Sequence, residues 1–208
     1  MRLEILDRGH RLRTKALFAL IRLVSRQPVV DAVKLALYRP DFYGGGDLTH
    51  EAMRGPSDWS IGDRELMAAF VSQSNESSFC VAAHSATSSL WYRDAAKVTA
   101  TLADLDTAPI EEPLRATLRM LGKLTRDHTI DADDIRAVLA AGVSPQQIKD
   151  ALAVCLAFDI TARLANAFDF RIASPAAMNA GALTKPRHFD FRFAELDHRR
   201  RRRPIGEF

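Results

Sequence analysis

Apolar residues recur along this chain at helical spacing and almost nowhere alternate as a strand requires. Residues 11–25 (RLRTKALFALIRLVS) set Leu12, Leu17, Leu20, Ile21 and Val24 on one face, with Pro28 beyond the end. A second helix, about 29–38, stops at Pro40, because a residue before proline is pushed out of the helical region. Residues 43–58, with Gly44, Gly45, Gly46, Gly55 and Pro56, read as a looser connection with a helical turn around His50 to Met53. Ser60 and Asp63 then form an acidic capping box, and the helix they open runs through Leu66, Met67, Phe70 and Val71. It yields near Ser74 and Asn75, and a further helix begins around Ser77 and continues past Trp91.

Beyond it, residues 109–127 are amphipathic through Leu114, Leu118, Leu121 and Leu124, and 132–141 form a short helix closed by Gly142. Ser144, Pro145 and Gln147 supply cap, first-turn proline and capping-box partner for the next helix. That helix carries Ile148, Leu152, Cys155, Leu156 and Leu164 and is apolar nearly all round, so it is expected at the centre of the core. From Ser174 the chain turns irregular. The pattern predicts an all-α protein: an N-terminal helical extension over 1–42, a helical domain over 43–173 and an irregular segment over 174–208.

The 208 residues and 47% hydrophobic content suffice for one substantial core. No apolar run is long enough to span a bilayer, and MRLEILDRGHRLR lacks the apolar stretch of a secretory signal. Two cysteines, Cys80 and Cys155, are too few for a disulfide framework, so a cytoplasmic protein without membrane contact is expected. The basic balance sits at the end of the chain. Residues 198–208 hold five of the 29 bases, Arg199 to Arg203, and one of the 26 acids; without them the net charge is −1. This reads as a solvated tail, and nucleic-acid binding is not expected of it.

Candidate chemistry concentrates in one place. Cys80 and His84 are four apart, so on a helix they share a face, and Ser77 joins them three residues earlier. An imidazole beside a thiol can take its proton, and the first turn of a helix favours the resulting anion. Taken alone, such a pair more often marks a buried cysteine beside a hydrogen-bonded histidine. The wider segment 65–84, ELMAAFVSQSNESSFCVAAH, changes the weighing. It resembles the AhpD-like (carboxymuconolactone decarboxylase) signature, a glutamate, eleven spacer residues, then Cys-x-x-Cys-x-x-x-His. Glu65, Cys80 and His84 match at the right spacing, and Ser77 stands where the family has its first cysteine. The likeness extends over roughly 30–170, towards the larger peroxidase-related members.

The resemblance implies an AhpD-like helical bundle and a thiol-dependent peroxidase of alkyl hydroperoxides. Cys80 would be the nucleophile, with His84 and Glu65 relaying protons. In the family the first cysteine resolves the sulfenic acid as a disulfide, which Ser77 cannot do. An external thiol or dithiol reductant is then implied, since Cys155, in an apolar helix, reads as an inert core thiol. The resemblance also implies a homotrimer or homohexamer. No cofactor is indicated, because no glycine-rich phosphate loop follows a strand. No metal is expected either, since Glu65, Cys80 and His84 lack a fourth protein ligand. Three other readings stand beside this one: a carboxymuconolactone decarboxylase-type lyase, a catalytically silent family member, and a DNA-binding protein. The last rests on 132–155, which scan like a helix-turn-helix, although its second helix turns solidly apolar after Asp150. His50 and His128 read as surface residues, and Glu76 as a complement to the helix N-terminus.

Overall fold

A computed structural model of the chain describes residues 4–38 and 46–172. Among them the regular elements are α-helices: α1 (Ile5–Arg8), α2 (Leu12–Ser25), α3 (Asp31–Tyr38), α4 (Gly46–Arg54), α5 (Ile61–Ser74), α6 (Ser78–Tyr92), α7 (Ala95–Ala103), α8 (Glu112–Asp127), α9 (Ala132–Ala140) and α10 (Pro145–Ala167). The boundaries expected at 42/43 and 173/174, and the Arg199 to Arg203 tail, lie outside the described residues.

Caps placed by the sequence fix the two central helices. Ser60 accepts from the Asp63 amide at 3.1 Å while the Asp63 carboxylate accepts from the Ser60 amide at 3.1 Å, so α5 starts where the capping box predicts. Ser144 and Gln147 close the same reciprocal pair at the start of α10. Leu66, Met67 and Val71 of α5, Leu118 and Leu121 of α8, Val98 of α7 and Val154 and Phe158 of α10 meet in one fully buried core. Each such side chain contributes about 1.5–3 kcal/mol relative to exposure.

Helices α5 and α6 form a close antiparallel pair. The turn between them places Glu76 in the left-handed region at φ 54°, which lets the Ser77 amide reach back to the Ser72 carbonyl at 2.9 Å. Further along the pair, Ser88 Oγ donates to the Gly62 carbonyl at 3.0 Å and the Tyr92 hydroxyl to Asp63 at 2.5 Å. A Cβ on Gly62 would sit 2.9 Å from the Tyr92 ring, so the missing side chain lets the helices approach. This register brings residue 65 opposite residue 84.

The helix from Ser78 passes Trp91 as expected and ends at Tyr92, because Arg93 turns left-handed at φ 56° and Asp94 caps a separate helix, α7. Two expectations are revised. The apolar face read on α2 is open: Leu12 is 84% and Val24 76% exposed, while Phe18 is the residue that packs inward, edge-on to His10. Helix α10 is central but not covered all round, since Leu156 and Ile160 face outward. No helix among the described residues is long and apolar enough to cross a membrane.

Candidate active site

Glu65 projects from the middle of α5, a helix buried on nearly every side, and is itself 1% exposed. Across the α5–α6 pair its Oε2 lies 2.6 Å from Nδ1 of His84. A neutral imidazole that donates from Nδ1 keeps Nε2 bare, as an acceptor, so the carboxylate selects the tautomer a general base needs. Phe158 of α10 packs edge-on against the His84 ring, with centroids 4.4 Å apart, and blocks its rotation from the other side. Cys80 lies one helical turn before His84, the third residue of α6, where the helix N-terminus stabilises an anion. Glu65 and His84 therefore meet from two helices, and Cys80 shares α6 with His84 one turn earlier.

Ser77 immediately precedes α6 and is fully buried, yet its hydroxyl does not cap the helix. Its Oγ has no hydrogen-bond partner among the described residues. Glu76, read as an N-terminal complement, instead occupies the left-handed turn with its side chain exposed.

Cys80 is 1% exposed and belongs to a second apolar cluster with Leu6, Leu35, Phe79, Ala162, Ala165 and Phe170. Its cover comes from the N-terminal helices and the end of α10, and a polar latch ties these together. Lys34 donates to Asp7 at 2.7 Å and to Asp31 at 3.0 Å, and the other Asp31 oxygen accepts from the Arg171 amide at 3.0 Å. Cys155 sits apart, in the main core, within hydrogen-bond reach of Thr125 and Asp159. Burial pushes its thiol up to about 12, and neither cysteine is in a disulfide.

Two residues that sequence reasoning passed over complete the site. Arg54, the last residue of α4, donates from Nη2 to the second Glu65 oxygen, Oε1, at 2.5 Å. Arg64 is buried beside it, donating to the carbonyls of Gly55 at 2.9 Å and Ala52 at 3.3 Å. Burial, then the neighbouring Arg54 charge, holds the Arg64 guanidinium below its ordinary range. Nothing local signals Arg54: it lies at the end of a glycine-rich connection and meets Glu65 only through the tertiary approach of α4. Among the described residues no cluster of three or more His, Cys, Asp and Glu side chains is placed to hold a metal ion. His50 and His128 are exposed and remote in role.

No family model and no curated protein matches this chain. Several solved structures share its fold. An uncharacterized peroxidase-related protein from Silicibacter sp. TM1040 is 21% identical with a TM-score of 0.73, over 85% of this chain and 93% of its own. An uncharacterized peroxidase-related protein from Ralstonia eutropha JMP134, described as an alkylhydroperoxidase AhpD core, is 20% identical with a TM-score of 0.70, over 84% and 92%. The fold is thus an all-α, AhpD-like helical bundle.

Proposed function

We propose that this protein is a thiol-dependent peroxidase acting on alkyl hydroperoxides, with Cys80 as nucleophile. The observation that carries the reading is the buried Glu65–His84 hydrogen bond at 2.6 Å on the helix face that bears Cys80. The peroxidase-related names of the two fold neighbours lend it support.

His84 Nε2 takes the Cys80 proton, and the thiolate attacks the outer oxygen of the hydroperoxide. An S–O bond forms, the O–O bond breaks, and the leaving alkoxide recovers the proton from the imidazolium as an alcohol. Cys80 is left as a sulfenic acid. With serine at 77 and Cys155 in the other cluster, resolution falls to an external thiol. That thiol displaces water to give a mixed disulfide, and a second thiol then releases Cys80 reduced. The reaction takes place in a homotrimer or homohexamer in this reading, and light scattering showing a clean monomer at micromolar concentration would count against that part.

The test is the pH dependence of Cys80 alkylation. His84→Ala raises the apparent thiol pKa and slows alkylation at neutral pH, and Ser77→Cys creates a disulfide-forming pair with Cys80. If Cys80 alkylates no faster than a free thiol and His84→Ala changes nothing, the site is a relic. The silent-member reading would then replace this one, and the thiol's near-complete burial favours it as the second reading.

A further inference from the structure

Glu65 carries two oxygens, and the structure gives each a different partner: Oε2 meets His84 Nδ1 at 2.6 Å, and Oε1 meets Arg54 Nη2 at 2.5 Å. A carboxyl group this deeply buried keeps its charge only when that charge is matched. If His84 alone supplied the match, the imidazole would rest protonated and could accept nothing from Cys80. With Arg54 in place the carboxylate is already neutralised, and a resting imidazolium would add a surplus positive charge to a buried site.

The surrounding groups lean the same way. Arg64, the residue before Glu65, brings a buried guanidinium close to Arg54. Of the acids near Arg64, Asp63 is engaged by Tyr92 and by the Ser60 cap, and Asp150 by Ser57 and Gln146. From α10, Phe158 meets the His84 ring in a T-shaped contact and brings no charge, and Asp159 is held by Asn75 and Cys155. We infer that Arg54 is a positioning residue: by binding the far oxygen of Glu65 it fixes the carboxylate as a pure acceptor and keeps His84 neutral, with Nε2 unprotonated as the acceptor for the thiol proton. The inference uses the peroxidase reading only to say where that proton comes from.

The experiment is therefore independent of peroxide chemistry. In full-length protein carrying Cys80→Ser, the titration of His84 is followed by NMR, free of coupling to the thiol. Arg54→Gln raises the His84 midpoint by about one pH unit or more, because a like charge leaves and the carboxylate turns wholly to the ring. Glu65→Gln moves it the opposite way. A merely structural arginine would shift stability and leave the midpoint in place. Should Arg54→Gln fail to fold, the Arg54→Gln/Glu65→Gln protein, which removes both members of the ion pair together, carries the same test against Glu65→Gln alone. Its midpoint lies above that of the single variant. An unchanged or lowered midpoint on losing Arg54, in either background, overturns the assignment. In the protein with Cys80 intact, Arg54→Gln also narrows the pH range of rapid alkylation from its acidic side. Absence of peroxide turnover in the parent protein, with the His84 shift present in Arg54→Gln, would reject the peroxidase reading and leave the role of Arg54 standing.

Discussion

Glu65→Gln is the substitution whose cost the geometry defines most sharply. The carboxylate accepts from two donors at 2.6 Å and 2.5 Å and is 1% exposed, so the group that replaces it is held away from water. An amide offers one oxygen. If it serves Arg54, its NH2 faces His84 Nδ1, pushes the ring proton to Nε2 and leaves the ring unable to accept from Cys80. If it serves His84, the half-buried Arg54 guanidinium faces an NH2 group and loses its anion. Removing one partner of a buried ion pair costs about 3–5 kcal/mol. For a protein of this length about 2–4 °C of melting temperature goes with each kcal/mol, so the loss is about 6–20 °C. Thermal unfolding of four proteins tests this: parent, Glu65→Gln, Arg54→Gln, and the double variant. The double variant should be more stable than the sum of the single losses requires, by about 2 kcal/mol or more, since each single change strands the other's partner. Additive losses, or a Glu65→Gln protein within about 1 kcal/mol of the parent, would show that no tightly matched buried charge exists there.

Other expectations follow from the packing. Gly62→Ala forces a methyl to 2.9 Å from a Tyr92 ring that Asp63 and Lys97 hold in place; overpacking of about 1–3 kcal/mol should outweigh a helix-propensity gain of about 1 kcal/mol, read as a lower denaturant midpoint. At pH 8 a small alkylating reagent should label Cys80 well before Cys155, whose thiol sits near 12, and mass spectrometry showing Cys155 labelled first would contradict the placement of the two thiols. The cover over Cys80 should loosen in acid. Burial holds the His10 pKa below its ordinary value, so the unfolded segment takes up a proton first and stability falls as pH drops below about 6.5. Asp7, held below the carboxylate range by Lys34, adds a second loss of the same sign at lower pH. Hydrogen-exchange protection in α1–α3, corrected for the intrinsic pH dependence of amide exchange, should fall between pH 7 and 5, and His10→Gln should flatten that dependence.

The helices that build the site could be read from the sequence because their signals are local. The Ser60–Asp63 and Ser144–Gln147 boxes are three-residue patterns that fix a start without reference to the rest of the fold. The Glu65–Cys80–His84 set stands out through its likeness to the AhpD-like signature, and for two of the three the structure adds a physical reason: an antiparallel pair turning at Glu76 brings 65 opposite 84. What the sequence concealed was tertiary. Arg54 reaches Glu65 from another helix, and no spacing rule connects the two. The break between α6 and α7 depends on a left-handed Arg93, where neither glycine nor proline advertises a turn. The stripe on α2 showed that the segment is amphipathic, but periodicity names a face without saying what covers it, and Phe18 took the inward place.

The central claim, that Cys80 is a peroxidatic thiol without a local resolving partner, is tested most directly by one oxidation. The reduced protein is treated with a single equivalent of an alkyl hydroperoxide, and the Cys80 peptide is followed by mass spectrometry with a sulfenic-acid trap present. The account predicts rapid gain of one oxygen on Cys80, captured by the trap, with no disulfide to Cys155 and over-oxidation when thiol reductant is withheld. An unmodified Cys80, or a Cys80–Cys155 disulfide as the first product, would contradict it.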